Sequence, residues 1–288
     1  ALRRGPPDVV DFASDDLGKA MHDFHNLRAF FSQGDVEEIL EELKNVTVSF
    51  WSTWGNLTLP TGKDLPRAVP RRCAIVASGD SVLNAEAGQD IDAVDGPVLR
   101  MNFARTKRYE AFVGNRTDAL LINDQVPCKW KRTSSGPPPA VKMVVINNFG
   151  LRRGVACVQY IQEAFPDVPF FVLDFPKMNS GLMKLENRVV ETGPFSLRRL
   201  ASTMKSTSGI IGGLFLMNLC KEVLHYGFLE SPSCRKHYWE KRRSNCSVDK
   251  AHNLTKEHVL WKVISSTQGV NFTGEGIVYG WPRLQAEA

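Results

Sequence analysis

No stretch of the 288-residue sequence reaches the roughly 20 consecutive apolar residues of a membrane-spanning helix, so no span is expected within it. C-x-x-C is also absent. The closest cysteines, Cys234 and Cys246, are too far apart for the ligand pairs of a structural zinc site, whose members lie about two to four residues apart, and no zinc is expected. There is no internal repeat and no low-complexity segment, which excludes solenoid and fibrous architectures. Strong charge is missing too. A formal net charge of +5 with 23% charged residues falls below the density of a dedicated nucleic-acid binder, so no nucleic-acid partner is expected, whereas an anionic ligand is permitted. The chain starts Ala1, Leu2, Arg3, Arg4 without an initiator Met or the apolar region of a signal peptide, which reads as a trimmed segment with any signal or anchor removed.

What is present points to a folded protein of the secretory pathway. With 43% hydrophobic residues the chain can bury a sizeable core, as one large domain or one domain with a mobile lid. Six N-x-Ser/Thr sequons begin at Asn45, Asn56, Asn115, Asn245, Asn253 and Asn271. They accompany an even set of six cysteines, Cys73, Cys128, Cys157, Cys220, Cys234 and Cys246. Reduced core thiols are the plain alternative for the cysteines, but the two sets together favour an oxidising, glycosylating compartment.

Residues 1–30 are polar and read as the remnant of a stem, leaving residues 31–288 as one domain. Val36, Ile39, Leu40 and Leu43 have helical spacing. From Cys73 onward, β-rich runs at Cys73–Ala77, Pro97–Met101, Ala119–Ile122, Val141–Ile146 and Phe170–Leu173 alternate with helix-length or loop-length gaps. That is an α/β pattern with a buried, mostly parallel central sheet flanked by helices. Arg132–Pro139, with three consecutive prolines, is a surface loop, and Lys177–Pro194 is read either as a mobile loop over a site or as a long connection.

The chemistry starts where the Cys73–Ala77 strand runs into Ser78, Gly79, Asp80 and Ser81, a small-residue turn that lets backbone N–H groups approach a phosphate or ribose. Many α/β strands end this way without binding anything. The turn is followed by Gly88, Ile91 and Asp92, then Val98, Arg100 and Asn102, then Val113, Gly114, Arg116, Thr117 and Asp118. Further on come Thr207, Ser208 and Gly209 before an apolar stretch ending at Cys220, then His237, Tyr238, Trp239 and Glu240, and finally His252 with Glu257 five residues later. In this order the segments resemble the long, short, third and very short motifs of the sialyltransferase family, across about residues 73–257. The turn departs from that family's G-N-S-G-N, since the usual asparagines are replaced around Asp80.

The resemblance implies a single Rossmann-like, GT-A-variant catalytic domain that transfers sialic acid from CMP-sialic acid to a glycan hydroxyl on a glycoprotein, glycolipid or polysaccharide. It implies an inverting reaction without metal or other cofactor, in the Golgi lumen, on a chain held to the membrane by an N-terminal anchor. His252 is then the general base, with Glu257 orienting its ring or capping a local helix, and His237 assists the departing phosphate. Donor contacts are expected from Ser78, Gly79, Asp80, Ser81, Asn102, Thr207, Ser208, Gly209 and Tyr238. A carboxylate at Asp80 repels a phosphate unless it faces the ribose, which favours Ser81 and Asn102 as neutral partners. The resemblance also pairs Cys73 with Cys220, leaving Cys128 with Cys157 and Cys234 with Cys246. Three readings stand beside these expectations. The altered turn allows another CMP-activated keto-deoxy sugar acid, such as CMP-Kdo, and a non-catalytic glycan-binding homologue keeps the same scaffold. Asp90-Ile91-Asp92 has the form of a manganese-binding D-x-D, but Asp92 coincides with the motif and reads as a loop brace. Arg235, Lys236, Lys241, Arg242 and Arg243 could draw in an anionic donor, and read first as a solvated basic face.

Overall fold

Side chains that alternate between two faces of a strand need cover on both sides when every one of them is apolar, and this requirement organises the molecule. The structure is a computed structural model that describes residues 50, 52–54, 57–66, 68–123, 125–147, 155–192, 206–228, 237–241 and 276–279, with single positions at 38, 257, 260, 261, 264 and 265. The expected stem at 1–30 and, Glu38 apart, the expected helix at 36–43 lie outside the described residues.

A short hairpin of β1 (Thr53–Trp54) and β2 (Leu57–Thr58) precedes the sheet. The sheet strands are β3 (Arg72–Val76), β4 (Val98–Met101), β5 (Ala119–Ile122), β6 (Met143–Ile146), β7 (Phe170–Val172), β8 (Glu222–Tyr226) and β9 (Gly276–Tyr279). Their spatial order is β7-β6-β5-β4-β3-β8-β9, with β3 to β8 parallel and β9 antiparallel at the edge. The five strands expected from sequence are present with ends shifted by a residue or two. Expectation missed β8 and β9. β8 is split between faces, burying Val223 and His225, so it lacks the uniform apolar run that marks the others.

Six helices are used below: α1 (Gly88–Asp92), α2 (Glu110–Val113), α3 (Gln125–Thr133), α4 (Val155–Ala164), α5 (Phe175–Thr192) and α6 (Ser208–Met217). On one face Ala74, Val76 and Val98 pack with Ile91 and Val113 of α1 and α2, while Leu120, Ile122, Val144 and Ile146 pack with Val126 and Trp130 of α3 and Val158 and Ile161 of α4. On the other face Cys73, Ile75, Leu99, Leu121 and Val145 meet α5, α6 and Leu260, Trp261 and Ile264. Every residue from Ile210 to Met217 is buried, so α6 is an interior helix lying directly on the sheet. It approaches closely because position 212 is glycine: a Cβ there would sit 3.0 Å from Ile75 Cδ1 and 3.0 Å from Leu99 Cδ2.

Helix α5 corrects the expectation of a loop or connection from Lys177 to Pro194. Phe175, Met178, Leu182 and Leu185 are buried at helical spacing, which offsets the local cost of Gly181, and Pro176 sits in the first turn, where its missing N–H costs nothing. Residues 134–139 form a connection after α3, as expected, whereas Arg132 and Thr133, expected in that loop, belong to the last turn of the helix.

Two disulfides are present among the described residues. Cys73–Cys220 ties the start of β3 to the turn between α6 and β8, and Cys128–Cys157 ties α3 to α4. Cys234 and Cys246 lie outside the described residues.

His225 on β8 is 1% exposed, with its ring edge-on to Trp261 and Phe228, and its Nδ1 lies 3.2 Å from the Val223 carbonyl. Burial pushes its pKa from 6.5 down to about 3, so the folded protein holds it neutral while the unfolded chain takes up a proton below about pH 6.5. Its contribution is therefore complete above pH 6.5 and is lost as pH falls toward 3. Urea unfolding should show His225→Gln losing about 2 kcal/mol less stability than wild type between pH 7 and pH 5; equal losses in the two proteins would exclude this histidine as the cause.

Candidate functional site

The sheet changes winding direction at β3. The chain leaves β3 toward β4 and the strands beyond, then returns on the far side as β8, which opens a crevice outside the carboxyl ends of β3 and β8. The strand ends are held together there by a hydrogen bond from Ala77 N to the Tyr226 carbonyl at 2.8 Å. Gly227 continues β8 with φ +76°, and a Cβ on it would fall 2.6 Å from Val82 Cβ, so only glycine lets the two turns lie this close. The turn expected to face a ligand, Ser78, Gly79, Asp80 and Ser81, thus lies at the switch point. Asp80 opens a short 3-10 helix (Asp80–Asn84), and the fully buried Ser81 hydroxyl has no hydrogen-bond partner among the described residues.

The His237 segment reaches the same place. Tyr238 N donates to the Ser78 carbonyl at 3.0 Å, laying the turn 237–240 over the first turn. His237 stacks on Trp239 with 4.6 Å between ring centroids and a 9° interplanar angle, and its Nδ1 lies 2.8 Å from Glu240 Oε1. The side chain remains partly exposed, with Nδ1 engaged by a carboxylate that sets the ring's orientation. Tyr238 is differently placed from the expected ligand contact. It is 1% exposed, edge-on to Tyr109 and Trp239, and its hydroxyl donates to the Arg105 carbonyl. Burial raises its pKa to about 12, so it remains a neutral donor, and it acts as a strut beneath His237.

Thr207, Ser208 and Gly209 do form the N-terminus of an interior helix, but most of the free donors expected there are already engaged. The Thr207 hydroxyl oxygen accepts from Gly209 N at 3.1 Å and Ile210 N at 3.4 Å, and its own proton goes to Glu257 Oε2. The Thr207 backbone N–H donates to Glu257 Oε1. Glu257, 5% exposed, thus accepts both Thr207 donors at the N-terminus of α6. Its carboxylate supplies the negative charge that the helix N-terminus favours. Ser208 is the member with chemistry to spare: its Oγ accepts from Asn147 Nδ2 at 3.0 Å, which frees its own proton for another acceptor.

The long motif divides into two parts. Most of it is scaffold. Asp92 accepts from Asn115 N at 2.8 Å and Arg116 N at 2.9 Å, so its carboxylate braces a loop, as the plain reading held. Arg116 donates to the Asp92, Val94 and Gly96 carbonyls and pairs with Asp118 at 2.9 Å. Asp118 also accepts from Val98 N and Lys142; although burial opposes it, these bonds hold the acid below its usual range. Arg100, fully buried in β4, donates to the carbonyls of Val113, Gly114 and Arg116 and to the Thr117 hydroxyl. Burial lowers its pKa to about 10, which leaves it charged at neutral pH. The remainder of the motif, Ser78 to Ser81 and Asn102, lies at the carboxyl edge.

Asn102 has φ +50°, and its Oδ1 accepts from Asn123 N at 3.0 Å. Sequence reading missed two residues of the same kind. β4, β5 and β6 are each followed at once by an asparagine, Asn102, Asn123 and Asn147, so three neighbouring strands present a carboxamide at the crevice edge. The repeated apolar-run-then-Asn was the available signal. Asn147 is 3% exposed, and its Oδ1 has no partner among the described residues. His252 and the sequons at Asn45, Asn56, Asn245, Asn253 and Asn271 lie outside the described residues, while Asn115 is exposed. Among the described residues no group of three or more His, Cys, Asp or Glu side chains could hold a metal ion.

The model of glycosyltransferase family 29 (sialyltransferase) matches residues 17–151 and 175–269. The chain is similar to beta-galactoside alpha-2,6-sialyltransferase 2 of Bos taurus, 31% identical over 221 residues, which cover 70% of this chain and 42% of the relative. The Homo sapiens protein of that name is 30% identical over 251 residues, 80% of this chain and 45% of the relative. The chain thus spans less than half the length of these curated relatives. The chain is also similar to solved structures, among them two of mammalian sialyltransferases. A mammalian sialyltransferase has 17% identity and a TM-score of 0.47, over 91% of this chain and 86% of that one. A mammalian sialyltransferase in complex with Gal-beta-1-3GalNAc-ortho-nitrophenol has 19% identity and a TM-score of 0.48, over 89% and 86%.

The bracing role of Asp92 has a measurable consequence. Asp92→Ala leaves the exposed Asn115 N–H to water and strands the half-buried Arg116 N–H, and should lower unfolding free energy by about 1 kcal/mol, while Mn2+ leaves the wild-type melting temperature unchanged. A Mn2+-induced rise in Tm that disappears in the variant would instead make Asp92 a metal ligand.

Proposed function

The chain belongs to the sialyltransferases of glycosyltransferase family 29, and from that premise we propose that it transfers sialic acid from CMP-sialic acid to a hydroxyl of a terminal galactose or similar sugar. The reaction inverts the anomeric carbon and uses no metal ion. It takes place in the Golgi lumen, on a chain anchored in the membrane by a segment outside this sequence, with the acceptor carried on a glycoprotein, glycolipid or polysaccharide. The observation that carries this reading is the hydrogen bond from Tyr238 N to the Ser78 carbonyl, which brings the His237 turn onto the small-residue turn at the β3/β8 switch point.

In this reading the acceptor oxygen attacks the anomeric carbon while the bond from that carbon to the CMP phosphate oxygen breaks, and the electron pair leaves with CMP. His252 takes the acceptor proton. His237, held by Glu240, faces the departing phosphate, and a monophosphate leaving group carries little enough charge to be met by hydrogen-bond donors and an imidazole. Ser81, Asn102 and Ser208 supply neutral hydrogen bonds to the donor, Gly79 allows close backbone approach, and Asp80 faces the ribose hydroxyls. Thr207 and Gly209 contribute by setting the α6 N-terminus on which Ser208 stands. Tyr238 contributes by fixing His237.

The test is CMP release from CMP-sialic acid in the presence of a mixed glycan acceptor pool. Turnover should survive EDTA and fall by about 10²–10⁴-fold in His252→Ala. Loss of turnover in EDTA that added metal restores would overturn the metal-free mechanism. Turnover of CMP-Kdo but not CMP-sialic acid would move the assignment to that donor. A wild type that binds glycans yet turns over neither donor would be a binding homologue.

A further inference from the structure

Beside the proposed donor site the protein exposes an aromatic ring among unpaired cations. Phe103, 42% exposed, is with Val69 one of two large apolar side chains left in solvent among the described residues. Lys129 of α3 holds its ammonium 4.2 Å from the Phe103 ring centroid. Arg105, Lys107 and Arg108 follow on the same loop, and Arg132 lies further along α3, all of them exposed. Among the described residues none of these five basic side chains has a carboxylate within ion-pair distance, and Glu110 lies just beyond the loop, its acid held low by its own turn's backbone N–H groups and by Lys107.

The position follows from contacts already described. Phe103 directly follows Asn102, which is bonded to Asn123 at the end of β5, and Asn123 Oδ1 accepts from Gln125 N to start α3. The Arg105 carbonyl receives the Tyr238 hydroxyl, so the loop is fastened to the turn that carries His237 and touches Ser78. Loop and candidate site are therefore continuous. The Phe103 loop follows β4, the immediate neighbour of β3, and α3 follows β5, two strands from β3 or about 10 Å at the usual strand spacing, which is beside a donor at the switch point rather than on top of it.

We propose that Phe103 and Lys129, flanked by Arg105 and Arg108, form an acceptor subsite for a glycan that already carries an anionic group, a carboxylate or a sulfate ester. The ring offers an apolar surface to the C–H face of a pyranose, and the cation–π contact holds the Lys129 ammonium where it meets an acidic substituent of that sugar. The basic side chains raise the local concentration of anionic acceptors over neutral ones. This inference rests on the donor site proposed above.

Calorimetric titration of the CMP-loaded protein with lactose, lactose 3′-sulfate and 3′-sialyllactose tests it. Both anionic sugars should bind about tenfold more tightly than lactose, equivalent to ~1.4 kcal/mol, with the advantage shrinking as salt is raised. Lys129→Gln should remove most of that advantage with CMP affinity unchanged, and Phe103→Ala should weaken all three sugars; both residues are exposed, and unchanged melting curves verify that the variants fold. An advantage for only one anionic sugar still supports the subsite and identifies the anion it takes. Equal binding of the three sugars, no binding of any, or an advantage that persists in Lys129→Gln overturns it. Weaker CMP affinity in Lys129→Gln with sugar selectivity intact also overturns it and gives the cation to the donor. Failure of the wild type to bind CMP would sink the proposed donor site instead, and titration without CMP would still read the sugar preference.

Discussion

A guanidinium at the centre of a parallel sheet is costly to bury, and the way this protein satisfies Arg100 governs much of what surrounds it. The side chain finds carbonyls and a hydroxyl in one short segment, residues 113–117, and so draws the start of β5 against β4. Asp92 takes the backbone N–H groups of that segment, and Arg116 returns hydrogen bonds to the carbonyls around Asp92. The result is a network of hydrogen bonds beneath the crevice in which Nε and Nη2 of Arg100 are engaged while its Nη1 has no partner among the described residues, with Tyr238 close enough for its hydroxyl to sense the Arg100 charge. Met101 and Asn102, the next residues along β4, inherit their positions from this arrangement, and so does the loop that receives the Tyr238 hydroxyl.

Above that base the residues divide by whether their hydrogen-bonding capacity is spent. Thr207, Glu257, Asp92 and Tyr238 are engaged with protein partners, and they fix turns and a helix end. Ser81 and Asn147 are buried with an oxygen still unmatched among the described residues, and Ser208 has a proton to give. Buried polar atoms without partners are uncommon in folded proteins. The two oxygens lie just beyond the carboxyl ends of β3 and β6, that of Asn147 beside the N-terminus of α6, where open α/β sheets bind ligands, and this is the physical case for a site there.

The sequence made the sheet legible because β3 to β7 are buried on both faces and read as apolar runs, broken only by Arg100 within β4 and Arg72 at the start of β3. It concealed β8, where Glu222 and His225 interrupt the run, and β9, an antiparallel edge strand far along the chain. Helix α5 was obscured by Pro176, Asn179 and Gly181, residues associated with loops, although Phe175, Met178, Leu182 and Leu185 carried the opposite message at helical spacing. For the site, motif order pointed to segments that the fold brings together at the crevice, but it did not separate residues whose hydrogen bonds are spent on protein partners from those with capacity left, since a tyrosine or a threonine looks the same in either role. Hydrogen-bond partners separate them, and those join residues far apart in the chain, as between Tyr238 and Arg105, 133 positions away. Asn123 and Asn147 belong to no matched motif, yet their place after successive strands was visible to a reader counting strand ends.

The central claim is that the donor nucleotide sits at the β3/β8 switch point, between the Ser78–Ser81 turn, the His237 turn and the N-terminus of α6. Amide hydrogen exchange with and without CMP tests it most directly. The account predicts slowed exchange at Gly79, Asp80, Ser81, Asn102, Ser208 and Gly227, with the amino edge of the sheet unchanged; binding of CMP that leaves these amides unaltered and protects residues elsewhere would contradict it.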